Sequence, residues 1–356
     1  MKYLKDIEKL VENKVVFCGI DVHERDNQLC YFCDGEVLER VVVGSEAERI
    51  ISHTRKTYGN AKLVRFVYEA GFSGFHIYRK LVSSGYDCTI TPPSRIPRMG
   101  DKVKTDKRDA MKLARFHAGG LLKHVWVPPL RIESDRQYVR LRGRTVKKLS
   151  RVKGQIKSHL KLEGKKWSKE EGGCWTRRYM FWLEGLEFSD ESFRLILDEY
   201  ILEYQFLRNR IAELTRRIKE LSKREAYRSQ YKLLTSCRGV GLITAMTFLL
   251  EIWDMSRFHS TEAFGSYIGM TPSQHSSGSH VRLGHITREG NSRVRKVLVE
   301  CAWTVIRYDP FLRDKYLRIK SKGSNGKKAI VAVARSLAIR LRSCLLNEEN
   351  YVIGVC

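Results

Sequence analysis

Four carboxylates stand where they could meet at one point. Asp21 follows the apolar run Val15-Val16-Phe17-Cys18-Gly19-Ile20, and Glu69 closes Leu63-Val64-Arg65-Phe66-Val67-Tyr68. Asp106 and Asp109 lie in Lys104-Thr105-Asp106-Lys107-Arg108-Asp109-Ala110, three residues apart, so a helix there projects both from one face. Carboxylates at the ends of buried strands are costly without a compensating cation. Such a set can hold two divalent ions about 4 Å apart, the arrangement used for in-line attack at phosphorus. Carboxylates and water suit Mg²⁺ or Mn²⁺ and offer nothing soft for zinc. The other reading is ordinary capping and surface acids, since a carboxylate in a first helical turn, as at Asp106, is favourable anyway. Spacing alone leaves both open.

A second set of groups lies far along the chain. Gly269-Met270-Thr271-Pro272-Ser273-Gln274-His275-Ser276-Ser277-Gly278-Ser279-His280-Val281-Arg282 reads as a flexible loop rich in hydroxyls, with Arg288, Arg293, Arg295 and Lys296 after it. A serine there could attack a phosphodiester while cations stabilise the developing charge. By composition alone the stretch is a Ser/Gly linker.

The elements that must position these groups fall into three segments. Residues 15–127 read as an α/β unit. Val15–Ile20, Gln28–Cys33 and Val37–Val43 are expected strands, followed by a helix over Glu46–Tyr58 and a buried strand over Leu63–Tyr68. A helix over Gly74–Ser84, a short strand at Asp87–Ile90 and a helix capped by Thr105 and running to about His117 complete it. Three hairpin-like strands, then helices alternating with strands, is the pattern of an RNase H-like fold. Trp126-Val127-Pro128-Pro129 ends the unit.

Residues 130–225 read as helical. From Tyr138 to Lys166 there are eleven basic residues and one acid, Glu163, with Val146, Leu149, Val152, Ile156 and Leu160 at helical spacing. A helix with so lopsided a face suits a phosphate backbone, with Arg142, Arg144, Lys147, Lys148 and Arg151 as the contacts. Leu207, Ile211, Leu214, Ile218 and Leu221 form a short heptad seam, enough for an antiparallel helical hairpin or a dimer contact. Residues 228–347 read as mostly helical. Arg238-Gly239-Val240-Gly241 resembles a helix–hairpin–helix turn in which Gly239 and Gly241 free backbone N–H groups for a phosphate. A plain tight turn is the equal alternative. Apolar helices are expected over Ser292–Ile306 and Lys327–Leu346.

The chain has 356 residues, 42% hydrophobic, with 66 Lys+Arg against 40 Asp+Glu and a net charge of +26. That is a folded protein with a strongly basic surface, which points to a nucleic-acid partner. No long apolar run or lipidation motif supports a membrane. Met1–Glu8 carries no apolar signal core, so a cytoplasmic location is expected. Nine scattered cysteines fit reduced thiols, and Cys30-Tyr31-Phe32-Cys33, inside an apolar run, reads as core rather than zinc ligand.

In their order, the four carboxylates, Gly239-Val240-Gly241, Gly269-Met270-Thr271-Pro272 with Ser276-Ser277-Gly278-Ser279, Gly290-Asn291 and Gly326-Lys327-Lys328-Ala329 resemble the IS-one-ten family of insertion-sequence transposases, which includes Piv-type DNA invertases. The resemblance covers residues from about 15 to 346. It implies an N-terminal RuvC-like domain whose metal site is Asp21, Glu69, Asp106 and Asp109, a helical coiled-coil middle, and a C-terminal transposase domain. Ser277, or Ser276 beside it, is then the DNA nucleophile. Apart from the resemblance, the basic residues Arg282, Arg293 and Arg295 read as further nucleic-acid contacts. The resemblance implies double-stranded target and donor DNA as substrates, and a bridge RNA whose two loops pair with them. It also implies a dimer or tetramer whose composite site takes the metal domain of one subunit and the serine of another, and a 5′-phosphoserine intermediate. The expected location is then a bacterial or archaeal cytoplasm, on the nucleoid. A metal-only structure-specific nuclease and a DNA invertase are the alternatives. Delegating sequence readout to base pairing leaves a protein that needs shape and phosphate contacts, which fits a basic chain lacking an evident recognition helix.

Overall fold

The computed structural model describes residues 7, 9–97, 106–168, 170–277, 280–323 and 325–354, and leaves the side chains of 106–107, 274–277 and 280–283 outside that description. The expected Thr105 cap lies outside it. The chain divides into two compact units, Met1–Val127 and Pro128–Cys356, so the middle and C-terminal segments fall in one unit.

In the first unit, β1 (Val15–Val22), β2 (Asp26–Cys33), β3 (Glu36–Gly44), β4 (Leu63–Glu69) and β5 (Asp87–Thr91) form a mixed sheet in the order β3-β2-β1-β4-β5. The first three strands pair antiparallel, while β4 runs parallel to β1 and β5 parallel to β4. The period-two side-chain pattern gives each central strand two working faces. Val16, Cys18, Ile20, Val64, Phe66 and Tyr68 face one core, shared with buried residues of α1 (Ala47–Tyr58) and α2 (His76–Ser83) such as Ile50 and Leu81. The other face is covered by α3 (Asp106–Ala118), whose Leu113 packs with Val67 and Leu122. Cys30 and Cys33 are both buried, which agrees with a core role.

In the second unit, α4 (Leu130–Leu162) and α6 (Glu191–Lys223) are each 33 residues long. They pack as an antiparallel hairpin. Ile132 and Val139 near the start of α4 share a core with Ile218 and Leu221 near the end of α6. Val152, Ile156 and Leu160 share another with Leu197, Ile201, Tyr204 and Leu207. The heptad seam is thus consumed within the chain. The connection runs through α5 (Arg177–Glu184), capped by Thr176 accepting from the Tyr179 N–H.

Beyond the hairpin come α7 (Glu225–Thr235), the nearly all-buried α8 (Leu242–Ile252), α9 (Thr261–Tyr267), α10 (Ser292–Val305), α11 (Pro310–Ser321) and α12 (Gly326–Asn347). Within and just beyond the stretch expected as a flexible loop, Pro272–Ser277 and His280–Ile286 instead form the two strands, β6 and β7, of an antiparallel sheet. No helix among the described residues is long and apolar enough to cross a membrane.

Candidate active site

The register of the sheet sets the ends of two strands side by side. The last parallel pair of β1 and β4 is Ile20↔Tyr68, and the next residue on each strand is Asp21 and Glu69. Side chains two apart share a face, so Asp21 lies on the face of Gly19, and Glu69 on that of Val67. Both are the face beneath α3. A Cβ on Gly19 would stand 2.0 Å from the Ala110 carbonyl oxygen and 2.7 Å from the Ala114 nitrogen. Two residues back on β1, the Phe17 ring meets His117 edge-on at 5.4 Å. The helix therefore runs opposite to β1, and its first turn, carrying Asp106 and Asp109, comes to the end where Asp21 and Glu69 stand.

Asp21 Oδ2 is 3.3 Å from His23 Nε2, and Asp109 Oδ1 is 3.7 Å from Lys112 Nζ. Glu69 is exposed. Asp21, Glu69 and Asp109 are hard oxygen donors of the kind that could hold Mg²⁺ or Mn²⁺. Among the described residues no three His, Cys, Asp or Glu side chains already stand close enough together to hold a metal ion. The Asp106 side chain lies outside them. The ends of β1 and β4 and the start of α3 thus lie at one corner, where the described side chains form no closed cage. Sequence reasoning missed His23 and Lys112 as immediate neighbours of the acids, although Lys112 is visible three residues after Asp109.

Ser277 is the last residue of β6 and pairs with His280. The side chains of Ser276, Ser277 and Arg282 lie outside the described residues, as does Ser279 entirely. The base of this hairpin is closely fastened. Thr287 N–H donates to the Thr271 carbonyl at 2.9 Å, and Asn291 N–H to the Tyr267 carbonyl at 2.9 Å. Gly269 and Gly290 have φ of +67° and +98°, and a Cβ on either would stand 2.1 Å from a backbone oxygen, of Glu289 or Tyr267. Only glycine allows the two legs of the hairpin to cross so closely. Arg295 ties them together, donating to the Ile268 carbonyl at 2.9 Å and the Arg288 carbonyl at 3.2 Å.

Beneath that base lies a buried glutamate that sequence reasoning missed. Glu251, in the last turn of α8, accepts a two-pronged bond from Arg140 of α4 at 2.8 Å for each prong, and a bond from Asn291 Nδ2 at 3.1 Å. Burial pushes its carboxyl up, but the Arg140 fork, the Asn291 amide and the nearby Arg136 charge outweigh it and hold the carboxyl below its usual range. Its signal in the sequence is its place as the lone charge in Leu242–Ile252.

The basic candidates separate by environment. Arg144, Lys147, Lys148 and Arg151 are exposed along α4 at spacings of three and four, which places them on one stripe. Arg142 is half-buried and donates from Nε to Thr215 Oγ1 at 2.7 Å, fastening α4 to α6. Arg293 is exposed, with Nε 3.9 Å from Glu251 Oε1. Gly239 has φ of +107°, and a Cβ on it would lie 2.9 Å from Val305 Cγ2, so its glycine is needed for α10 to pack. Gly241 precedes α8 and is exposed, and a Cβ on it would meet nothing within 4 Å, which leaves that helix start approachable.

The chain matches known proteins along most of its length. Residues 18–163 match a DEDD-type transposase model of the IS110 group, and residues 231–317 match the model described as Transposase IS116/IS110/IS902 family. A protein of Sinorhizobium fredii named "Putative transposase y4qE" is 32% identical over 338 residues, covering 94% of this chain and 83% of that one. The "Transposase for insertion sequence element IS1533" of Leptospira borgpetersenii is 26% identical, covering 94% and 96%. The "Pilin gene-inverting protein" of Moraxella bovis is 28% identical over 67% of this chain and 65% of its own. With both models in order on one chain, and a transposase relative of this identity and coverage, the chain belongs to the IS110 family of transposases.

Proposed function

We propose that this transposase cuts and rejoins DNA through a serine nucleophile, Ser277, acting with a divalent-metal site built on Asp21, Glu69, Asp106 and Asp109. The observation that carries the reading is the meeting of three element ends at one corner: the close of β1, the close of β4 and the first turn of α3. An RNase H-like reading of this unit is supported by its antiparallel β1–β3 meander extended by parallel β4 and β5. Mg²⁺ or Mn²⁺ bound there would stabilise negative charge on the scissile phosphate and on the leaving oxygen. The carboxylates would hold the ion in place, and the basic residues would bring the DNA to it.

In the proposed reaction the Ser277 hydroxyl attacks the phosphorus and loses its proton. A bond forms between its oxygen and the phosphorus, and the bond from phosphorus to the 3′ oxygen breaks. The departing 3′ oxygen takes up a proton. The DNA strand is left as a free 3′-hydroxyl and a 5′-phosphoserine, which keeps the phosphodiester energy available for rejoining. Ser277 suits this role in lying at the far end of a hairpin whose base is locked. The serine and the carboxylates meet, in this reading, within an assembly of copies of the chain.

Target and donor choice is assigned to a guide RNA of the bridge type. The support is the net charge of +26 together with an exposed basic stripe on α4, which suits phosphates. The test is to incubate the protein with Mg²⁺ and DNA, with and without RNA transcribed from the DNA flanking its gene. RNA-dependent strand cleavage that Asp21→Asn and Asp109→Asn each lower by about 10²-fold or more, with RNA binding retained, supports the reading. Cleavage without any protein–DNA adduct points to a metal-only nuclease. Inversion of a segment between two sites points to the invertase activity for which the Moraxella bovis relative is named.

A further inference from the structure

Glu251 is the most enclosed carboxylate beside the serine hairpin, its side chain 1% exposed. Its hydrogen-bond partners among the described residues belong to α4 and to the two legs of that hairpin, and Arg293 of α10 lies 3.9 Å from Oε1. Arg140 of α4 grips both carboxylate oxygens. Asn291, on the leg leaving β7, donates its Nδ2–H to Oε2 at 3.1 Å, while its own Oδ1 accepts from the N–H groups of Arg293 and Val294 and so caps α10. Tyr267, on the leg entering β6, donates its hydroxyl to the Glu251 carbonyl at 3.1 Å. The Tyr267 ring is packed under the Arg257 guanidinium at 4.6 Å. Arg136, one turn before Arg140, donates to the neighbouring Leu250 carbonyl at 2.6 Å.

The sequence spacing gives this network its meaning. Arg140 is four residues before Arg144, so the side chain that grips Glu251 is on the same helix as the exposed stripe Arg144, Lys147, Lys148 and Arg151, one turn earlier. A rigid 33-residue helix thus carries basic residues at one place and, a turn away, fixes the carboxylate on which both hairpin legs rest. A buried carboxylate bonded on both oxygens specifies one arrangement, because a shift leaves a buried charge or amide without a partner.

We infer that Glu251 is a positioning residue: held by Arg140 and joined to Asn291, it sets the base of the β6–β7 hairpin against α4 and thereby aims Ser277 at DNA seated on that helix. This rests on the serine reading above. It predicts that loosening the Glu251–Asn291 bond slows attack without weakening nucleic-acid binding, since a misplacement of about 1 Å is enough to cost on the order of 10²-fold in rate.

The experiment separates this from a capping role for Asn291. Asn291→Asp caps α10 at least as well, but sets a second carboxylate against Glu251. Adding Glu251→Gln reverses the polarity of the bond, so that the glutamine amide donates to the new carboxylate. Formation of the covalent protein–DNA adduct is followed in a single turnover, alongside RNA and DNA affinity and the melting temperature. The expected result is a slowing of roughly 10- to 100-fold for Asn291→Asp at unchanged affinity, with much of the rate recovered in the double variant. Asn291→Ser keeps a capping oxygen and deletes only the amide donor, and is expected to be slowed likewise with unchanged melting. Wild-type rates in both single variants overturn the inference, and so does a well-folded double variant no faster than Asn291→Asp. A wild-type protein that forms no adduct overturns the serine reading itself, and the inference with it.

Discussion

Gly19 lies directly under the backbone of α3, with the Ala110 carbonyl oxygen only 2.0 Å from where a Cβ would be. This close approach lets the helix settle onto β1, and it brings the first turn of α3 over the strand end that carries Asp21. Gly19→Ala is expected to force the helix outward, destabilising the protein by about 1–3 kcal/mol, the usual range for overpacking a tight site. It should cost far more in cleavage than in stability, because the acids of α3 are carried away from Asp21 and Glu69. Thermal melting and a cleavage assay check this. A Gly19→Ala protein that melts and cleaves like the wild type contradicts the placement.

The basic residues of α4 divide into two kinds, and salt dependence tells them apart. Arg144, Lys147, Lys148 and Arg151 are exposed, so replacing any of them with Gln is expected to weaken duplex binding evenly across sequences. Each replacement leaves one phosphate fewer neutralised, which should make the slope of log K against log salt shallower by about 0.9. Arg142 is committed to Thr215 of α6. Arg142→Gln is expected to lower the melting temperature and to leave the slope nearly unchanged. Affinity titrations between low and moderate salt decide the matter.

His117 gives the first unit an acid sensitivity. Burial lowers its pKa from the ordinary 6.5 to about 4; the nearby Asp87 opposes this, while His124 and Arg65 add to it. Above pH 6.5 the ring is neutral in both folded and unfolded chains and contributes nothing to the pH dependence. As the pH falls from 6.5 towards 4 the unfolded chain binds a proton that the folded one does not, so stability is lost across that window. His117→Leu is expected to flatten the fall in melting temperature between pH 6.5 and 4. An unchanged profile contradicts the assignment.

The sheet was largely legible in the sequence because its strands are apolar, β-branched and bounded by turns. The strands expected at Val15–Ile20 and Leu63–Tyr68 are found at Val15–Val22 and Leu63–Glu69, side by side and parallel. Asp21 and Glu69 could therefore be set together from pattern alone. The hairpin of β6 and β7 could not, because serine and glycine have low strand propensity and its fastening comes from Tyr267, Asn291 and Arg295. The helix over Pro310–Ser321 carries its own local signals, Asp309 as the cap and Pro310 in the first turn, which went unread beside the stronger apolar patterns on either side. Arg142 and Arg295 look like phosphate contacts in a run of basic residues. Only the packed structure shows their guanidinium groups occupied by Thr215 and by two backbone carbonyls. Glu251 was hidden for a similar reason, since its partners lie about 111 and 40 residues away along the chain.

The central claim is that a serine becomes joined to DNA, and the most direct measurement is the site of that bond. Protein, Mg²⁺, RNA from the flanking DNA and a duplex carrying the target are incubated, denatured and digested, and the peptide bearing a nucleotide is identified by mass spectrometry. The account predicts a denaturation-resistant adduct on Ser277, abolished by Ser277→Ala and retained in Ser276→Ala and Ser279→Ala. DNA cleaved with no adduct, or an adduct that persists in Ser277→Ala, would contradict it.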